Sequence, residues 1–349
     1  MNIQSARPLY NTSLLGSVSA LMLVASLLPG TAFADAAVKD RHPANSIKEV
    51  NDNPNRFSFA VIADRTSRAQ GRVFQEAMHR INQLRPAFIA SVGDVIQGYT
   101  EDTDVVRAQW DEVDEVIGQL DMPFYLAPGN HDMTYKAMTD IYQERYGRPY
   151  YHVVYKDVLF LFVHTQDPYV YKSVASREKS YQELEDIQKA AKRAGRDGNV
   201  KGFQYRRTTD NWELRNDQIT DAQMRYFRNV LDEHRDVRWT FVFMHKPLWR
   251  PNYAGDIWQK FERLFEGRRY TMIGGHNHLH SYQTIKGQDY IRVSTTGGAW
   301  GKRGQDWRPD INPGKYHHIL WITMDGDEPV IANVLTDVIL EETDIRPVK

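Results

Sequence analysis

Three apolar runs in the first half of the chain each stop at a tight polar turn, and this alternation restricts the fold more than any other feature. Residues 57–63 end in Asp64-Arg65-Thr66, residues 87–92 in Gly93-Asp94, and residues 122–126 in Ala127-Pro128-Gly129-Asn130-His131-Asp132. Each run has the length of a buried strand, and glycine or Pro-Gly closes the second and third. Between them lie residues 72–84, with Val73, Ala77, Ile81 and Leu84 at helical spacing, and residues 104–119, which read as a second helix. Strands alternating with helices imply βαβ units, and open α/β sheets place ligands at the carboxyl ends of their strands.

The second half continues the pattern with histidines. Residues 150–155 and 158–164 flank Lys156-Asp157 and read as a β-hairpin. A helix over 221–233 precedes a strand over 238–244 that ends in His245-Lys246-Pro247. A helix near 257–265 precedes a strand over 270–273 that ends in Gly274-Gly275-His276-Asn277-His278. Strands then follow at 281–285, 290–296, 318–324 and 330–337, and His317 and His318 at the third of these read as structural. The span 166–216 is irregular and reads as an insertion over or beside the core. It carries a charged helical run at 179–194, which reads as a solvated face, and a short basic piece, Phe203-Gln204-Tyr205-Arg206-Arg207.

Composition narrows the chemistry. The chain has no cysteine, so a metal site must use oxygen and nitrogen ligands. A formal net charge of -1 gives no general basic field, so no nucleic-acid partner is required. The apolar stretch 14–28, the Pro29-Gly30 break and Ala32-Phe33-Ala34 read as a signal peptide over 1–34, cleaved after Ala34. An uncleaved membrane anchor is the alternative. Cleavage predicts a secreted or periplasmic protein with no membrane association, with a flexible lead-in over 35–56, one domain over 57–337 and a tail over 338–349. The oligomeric state stays open.

Collected, the strand-end groups are Asp64, Asp94, Asn130, His131, His245, His276 and His278. Carboxylates, an amide and imidazoles suit Zn, Mn or Fe, one or two ions per chain, and a carboxylate can bridge two of them. At the third turn, His131 can donate a proton and Asp132 can fix its tautomer.

The order Asp64, Gly93-Asp94, Gly129-Asn130-His131-Asp132, His245 and Gly275-His276-Asn277-His278 resembles the calcineurin-like metallophosphoesterase superfamily. The resemblance implies an α/β (α+β) fold, a four-layer αββα sandwich of two mixed β-sheets flanked by helices, with divalent metal ions at one edge. It implies that Asp94 bridges two ions, that Asp64 and His278 hold the first, and that Asn130, His245 and His276 hold the second. It further implies hydrolysis of a small-molecule phosphate ester, monoester or diester, by a metal-activated hydroxide, with His131 as general acid oriented by Asp132.

Two positions depart from that pattern. Thr66 stands where the first motif, Asp-x-His, places its histidine, and Gln97 stands where a second acidic residue often lies. Arg65 could replace part of the missing function by pairing with phosphate, and Tyr99, Asp102 or Asp104 could supply a ligand. The alternative function is a catalytically weakened mononuclear metal- or phosphate-binding protein on the same fold. Trp249, Arg250, Tyr253 and Trp300 could line the cleft, or else serve as packing.

Overall fold

The computed structural model describes residues 53–66, 71–166, 219–251, 253, 255–300 and 314–336, the backbone of 33–34, and scattered positions between 173 and 193. The leader apart from residues 33–34, most of the lead-in and of the 166–216 insertion, Phe203 to Arg207, and the tail lie outside the described residues.

The elements in chain order are β1 (Phe33–Ala34), β2 (Arg56–Ile62), α1 (Gly71–Leu84), β3 (Ile89–Ser91), α2 (Thr103–Ile117), β4 (Phe124–Leu126), α3 (Lys136–Tyr146), β5 (Tyr151–Tyr155), β6 (Val158–Val163), α4 (Asp221–Glu233), β7 (Trp239–Met244), α5 (Asp256–Glu262), β8 (Tyr270–Gly274), β9 (Ser281–Ile285), β10 (Gln288–Arg292), β11 (His318–Asp325) and β12 (Glu328–Leu335). They form two mixed sheets, a seven-stranded one in the order β1-β5-β6-β7-β8-β10-β9 and a five-stranded one in the order β12-β11-β2-β3-β4. β2, β3 and β4 run parallel, as do β6, β7, β8 and β10. The carboxyl ends of the parallel strands of each sheet therefore open on the same edge.

The two sheets face each other across an aromatic core. Phe59 stacks on Phe88 at 5.1 Å, and Phe160 meets Phe88 edge-on at 4.9 Å. β6 is buried on both sides, which explains its unbroken apolar run. Its Phe160 and Phe162 enter the core between the sheets, while Leu159, Leu161 and Val163 pack outward with α4 and α5. Helices α1, α2 and α3 cover the outer face of the five-stranded sheet. The result is the expected four layers, αββα.

The differences from the sequence reading are local. α1 buries Phe74, Ala77, Met78 and Ile81, not Val73 and Leu84; Leu84 is 48% exposed. The second and third strands shrink to three residues each, because the surrounding apolar residues belong to turns that stay buried. α3 was not expected: the polar residues Lys136, Asp140 and Glu144 mask its buried Met138, Ile141 and Tyr142. The end of the lead-in is held to the fold, since Lys156 Nζ donates to Asn53 O at 3.0 Å and Gly326 N–H to Asn55 O at 3.0 Å.

Candidate metal centre

The site is built where the edges of the two sheets meet. Asp64 lies two residues beyond β2, Asp94 three beyond β3, Asn130 four beyond β4, His245 one beyond β7 and His276 two beyond β8. Asp64, Asp94, His276 and His278 all have left-handed backbone, with φ of 50°, 58°, 70° and 53°. Non-glycine residues pay for that conformation and hold it where the surroundings over-determine it, often at functional sites. Two glycines open room for the carboxylates. A Cβ on Gly129 would lie 2.1 Å from Asp94 Oδ1, and one on Gly275 would lie 2.4 Å from Asp64 Oδ2.

Four ligand atoms converge on one point. His245 Nε2 lies 3.0 Å from Asn130 Oδ1, 3.1 Å from His276 Nδ1 and 3.2 Å from Asp94 Oδ2. Three of them are oriented from behind. His245 Nδ1–H donates to Val92 O at 2.9 Å, which turns the Nε2 lone pair inward. Asn130 Nδ2 donates to Tyr99 Oη at 2.6 Å, which turns Oδ1 inward. Asp94 Oδ1 accepts the His131 backbone N–H at 2.8 Å, leaving Oδ2 for the cluster. Four acceptor atoms facing one another in a buried place fit a cation, and the mixed O/N donors suit a transition metal.

The electrostatics agree. Burial alone would lower the His245 pKa, but the charge of Asp94 and the contact with its carboxylate push it up to about 9. Burial alone would raise the pKa of Asp94, but the imidazoles of His245, His131 and His276 hold it below the ordinary carboxylate value. His276 is held well below its ordinary value by burial and then by the charges of His245 and Lys246.

A second, sparser group lies beside the first. His278 Nε2 is 3.2 Å from Asp64 Oδ1, and His278 Nδ1–H donates to Ala299 O. Asp64 also accepts the His276 backbone N–H, at 2.9 Å to Oδ2. Thr66, at the departing position, is fully buried, and its hydroxyl has no hydrogen-bond partner among the described residues.

Two of the expected roles are corrected. Asp132 does not orient His131. Its oxygens accept the backbone N–H groups of Asp94 and Gly129 at 2.8 Å, Val95 at 2.9 Å and Ile96 at 3.2 Å. A short buried carboxylate beside a row of free N–H groups is captured by them, so Asp132 clamps two turns together. The imidazole is oriented instead by Gln97, whose carbonyl accepts His131 Nδ1–H at 2.6 Å, and the Tyr99 ring packs against it at 4.4 Å. Arg65 takes other partners in the fold. It donates to Val95 O at 3.2 Å, pairs with Glu112 and lies 5.1 Å over the Phe74 ring. Asp102 caps α2 through the N–H groups of Asp104 and Val105 and supplies no ligand there.

The aromatic candidates divide. Trp249 and Trp300 are buried packing residues. The Tyr253 ring lies 5.7 Å from the His276 ring, and Arg250 Nη1 donates to Asn277 Oδ1 at 2.8 Å. Tyr99, a candidate ligand by sequence, accepts from Asn130 Nδ2 and so orients that amide.

The chain belongs to the calcineurin-like phosphoesterase family, whose model matches residues 57–280. No curated protein sequence matches it. Among solved structures, a dimetal phosphatase from Danio rerio superposes with a TM-score of 0.52 at 13% identity, covering 80% of this chain and 99% of its own. The structure of PhoD superposes with a TM-score of 0.53 at 10% identity, covering 83% of this chain and 70% of its own. At these identities the superpositions speak for the fold.

Proposed function

We propose that this protein is an exported, metal-dependent phosphoesterase acting on a small phosphate monoester or diester. One metal position is fully built by Asp94, Asn130, His245 and His276, and His131 donates a proton to the leaving group. The observation that carries this reading is the convergence of three ligand atoms on His245 Nε2 within 3.2 Å. When bound, divalent ions in this fold polarise the phosphoryl group and lower the pKa of water.

The chain's own residues do the rest. His131 holds its Nδ1 proton on Gln97 O, so Nε2, 4.0 Å from Asp94 Oδ2, is the atom that carries and releases the transferable proton. Gln97 and Tyr99 keep that ring in place. Asp132 holds the Asp94 and Asn130 turns in register, so ligand and proton donor stay at fixed separation. Export is part of the proposal and rests on the leader features of residues 1–34.

A second reading, a mononuclear phosphate binder, is favoured by one feature. Thr66 puts a neutral, buried hydroxyl two residues after Asp64, where the Asp-x-His motif has a histidine. Both readings are tested by hydrolysis of a phosphomonoester and a phosphodiester by the leaderless chain with Mn²⁺, Zn²⁺ or Fe²⁺, together with metal stoichiometry, for the wild type and Thr66→His. Metal-dependent turnover by the wild type establishes the enzyme. Turnover by Thr66→His alone, with a second ion bound only there, establishes the binder. His131→Ala is expected to lower kcat by about 10²–10⁴ on esters with poor leaving groups while bound metal is unchanged.

A further inference from the structure

Among the described residues, two arginines beside the candidate metal centre have no acidic partner. Arg250 lies five residues after His245, and its Nη1 is hydrogen-bonded to Asn277, the residue between His276 and His278. Arg292 ends β10, in register opposite Gly274, two residues before His276. Its Nε donates to Ser281 Oγ at 2.7 Å, while its Nη1 is buried with no hydrogen-bond partner among the described residues. Arg107, Arg145 and Arg235 each face a carboxylate within 3 Å; among the described residues neither Arg250 nor Arg292 forms an ion pair.

Both guanidinium groups lie near the β8 turn, Arg250 through Asn277 and Arg292 through its register opposite Gly274. The Arg292 pKa is lowered first by burial and then by the charge of Arg250, with only Tyr253 acting the other way. A buried guanidinium N–H left unpaired is costly, as is a pair of cations with no counter-charge. An anion removes both costs, and the planar fork of arginine matches a phosphoryl or carboxylate group.

We propose that Arg250 and Arg292 form an anion subsite that takes a second anionic group of the substrate, distinct from the ester group at the metal centre. This rests on the phosphoesterase reading above and narrows it. The substrate class is a phosphate ester whose leaving portion carries another phosphoryl or carboxylate group. A simple alkyl or aryl monophosphate engages only half of the recognition surface.

The test is calorimetric binding of three rigid, non-hydrolysable ligands to the Mn²⁺-loaded leaderless chain: phenylphosphonate, 1,4-benzenediphosphonate and 4-phosphonobenzoate. The wild type is expected to bind the two doubly anionic ligands about 10–100-fold more tightly than phenylphosphonate, the range of a charge-assisted hydrogen bond. Arg250→Gln and Arg292→Gln should each remove most of that advantage while phenylphosphonate binding stays within about twofold, which also shows that the variant is folded. An advantage confined to the diphosphonate identifies a phosphoryl group as the second anion; one shared by the phosphonobenzoate admits a carboxylate. No advantage in the wild type, or equal loss for all three ligands in both variants, overturns the subsite. Turnover of phenyl phosphate is scored separately. A protein that prefers the doubly anionic ligands yet never turns over would keep the subsite and sink the hydrolase.

Discussion

The carboxylate of Asp132 holds the backbone of Asp94: the Asp94 N–H lies 2.8 Å from Asp132 Oδ2. Three more backbone N–H groups, from Val95, Ile96 and Gly129, complete its shell. This carboxylate therefore sets the position of Asp94, a proposed metal ligand, from beneath. Asp132→Asn keeps the shape but offers one acceptor oxygen and points an NH₂ at backbone donors. We expect a loss of about 1–3 kcal/mol of stability, the cost of buried donors left unpaired. Urea unfolding checks it, and metal affinity should fall with it. A variant as stable as the wild type would mean that the clamp is idle.

Tyr99 and Asn130 form a pair of the same kind, with Nδ2 donating to Oη at 2.6 Å. Tyr99→Phe leaves the amide free to rotate and present nitrogen in place of oxygen to the cluster. Loss of an orienting partner costs about 10–100-fold in metal affinity. Competition with a chelator of known affinity reads this directly. Unfolding midpoints of the metal-free chains should differ little.

The two glycines discriminate between the metal positions. Gly129→Ala drives a methyl group against Asp94 Oδ1, and Gly275→Ala drives one against Asp64 Oδ2. Overpacking of this kind costs about 1–3 kcal/mol when the neighbour can shift. Gly129→Ala should therefore abolish metal binding, whereas Gly275→Ala should leave the Asp94–Asn130–His245–His276 position able to bind one ion. Elemental analysis of the purified variants decides it. Identical stoichiometries would show that the two positions are not independent.

A pH effect arises away from the site. His318 is fully buried, donates Nδ1–H to Asn333 Oδ1 at 2.7 Å and accepts the Ser294 N–H at Nε2, 2.9 Å away. Both ring nitrogens are committed to the neutral form, and burial pushes the pKa down to about 3. The unfolded chain, with an ordinary histidine pKa near 6.5, binds the extra proton between about pH 6.5 and 3. Stability should rise with pH through that window and be lost as pH falls, by up to about 1.4 kcal/mol per pH unit from this group. Urea unfolding at pH 4.5, 5.5 and 7 should show a shallower slope for His318→Gln than for the wild type. Equal slopes would mean that His318 is protonated in the fold.

How much of this was legible in the chain depends on whether the controlling interaction was local. The alternation of strands and helices could be read because strands buried on both faces must be continuously apolar and because the turns that close them need glycine or proline; the αββα layering was implied by the resemblance of the turn motifs to a known family. The ligand set could be collected because parallel strands open their ends on one edge, so Asp64, Asp94, Asn130, His245, His276 and His278 share an address before any coordinates exist. The α3 helix could not be read, because its burial depends on neighbours distant in sequence rather than on a clean stripe.

What only the tertiary structure decided is which partner each polar group takes. Asp132 sits beside His131 in the chain, yet its oxygens go to Asp94, Val95, Ile96 and Gly129, while Gln97 O, thirty-four residues away, takes the imidazole. Arg65 follows a ligand in sequence, yet pairs with Glu112. Arg250 and Arg292 lie forty-two residues apart in the sequence, and come to the same turn only when β10 is laid against β8. Residue type and spacing specify what can be buried and where the chain must turn. Hydrogen bonds and charges act over a few ångströms between residues from different strands, so their partners are fixed only once both sheets have packed.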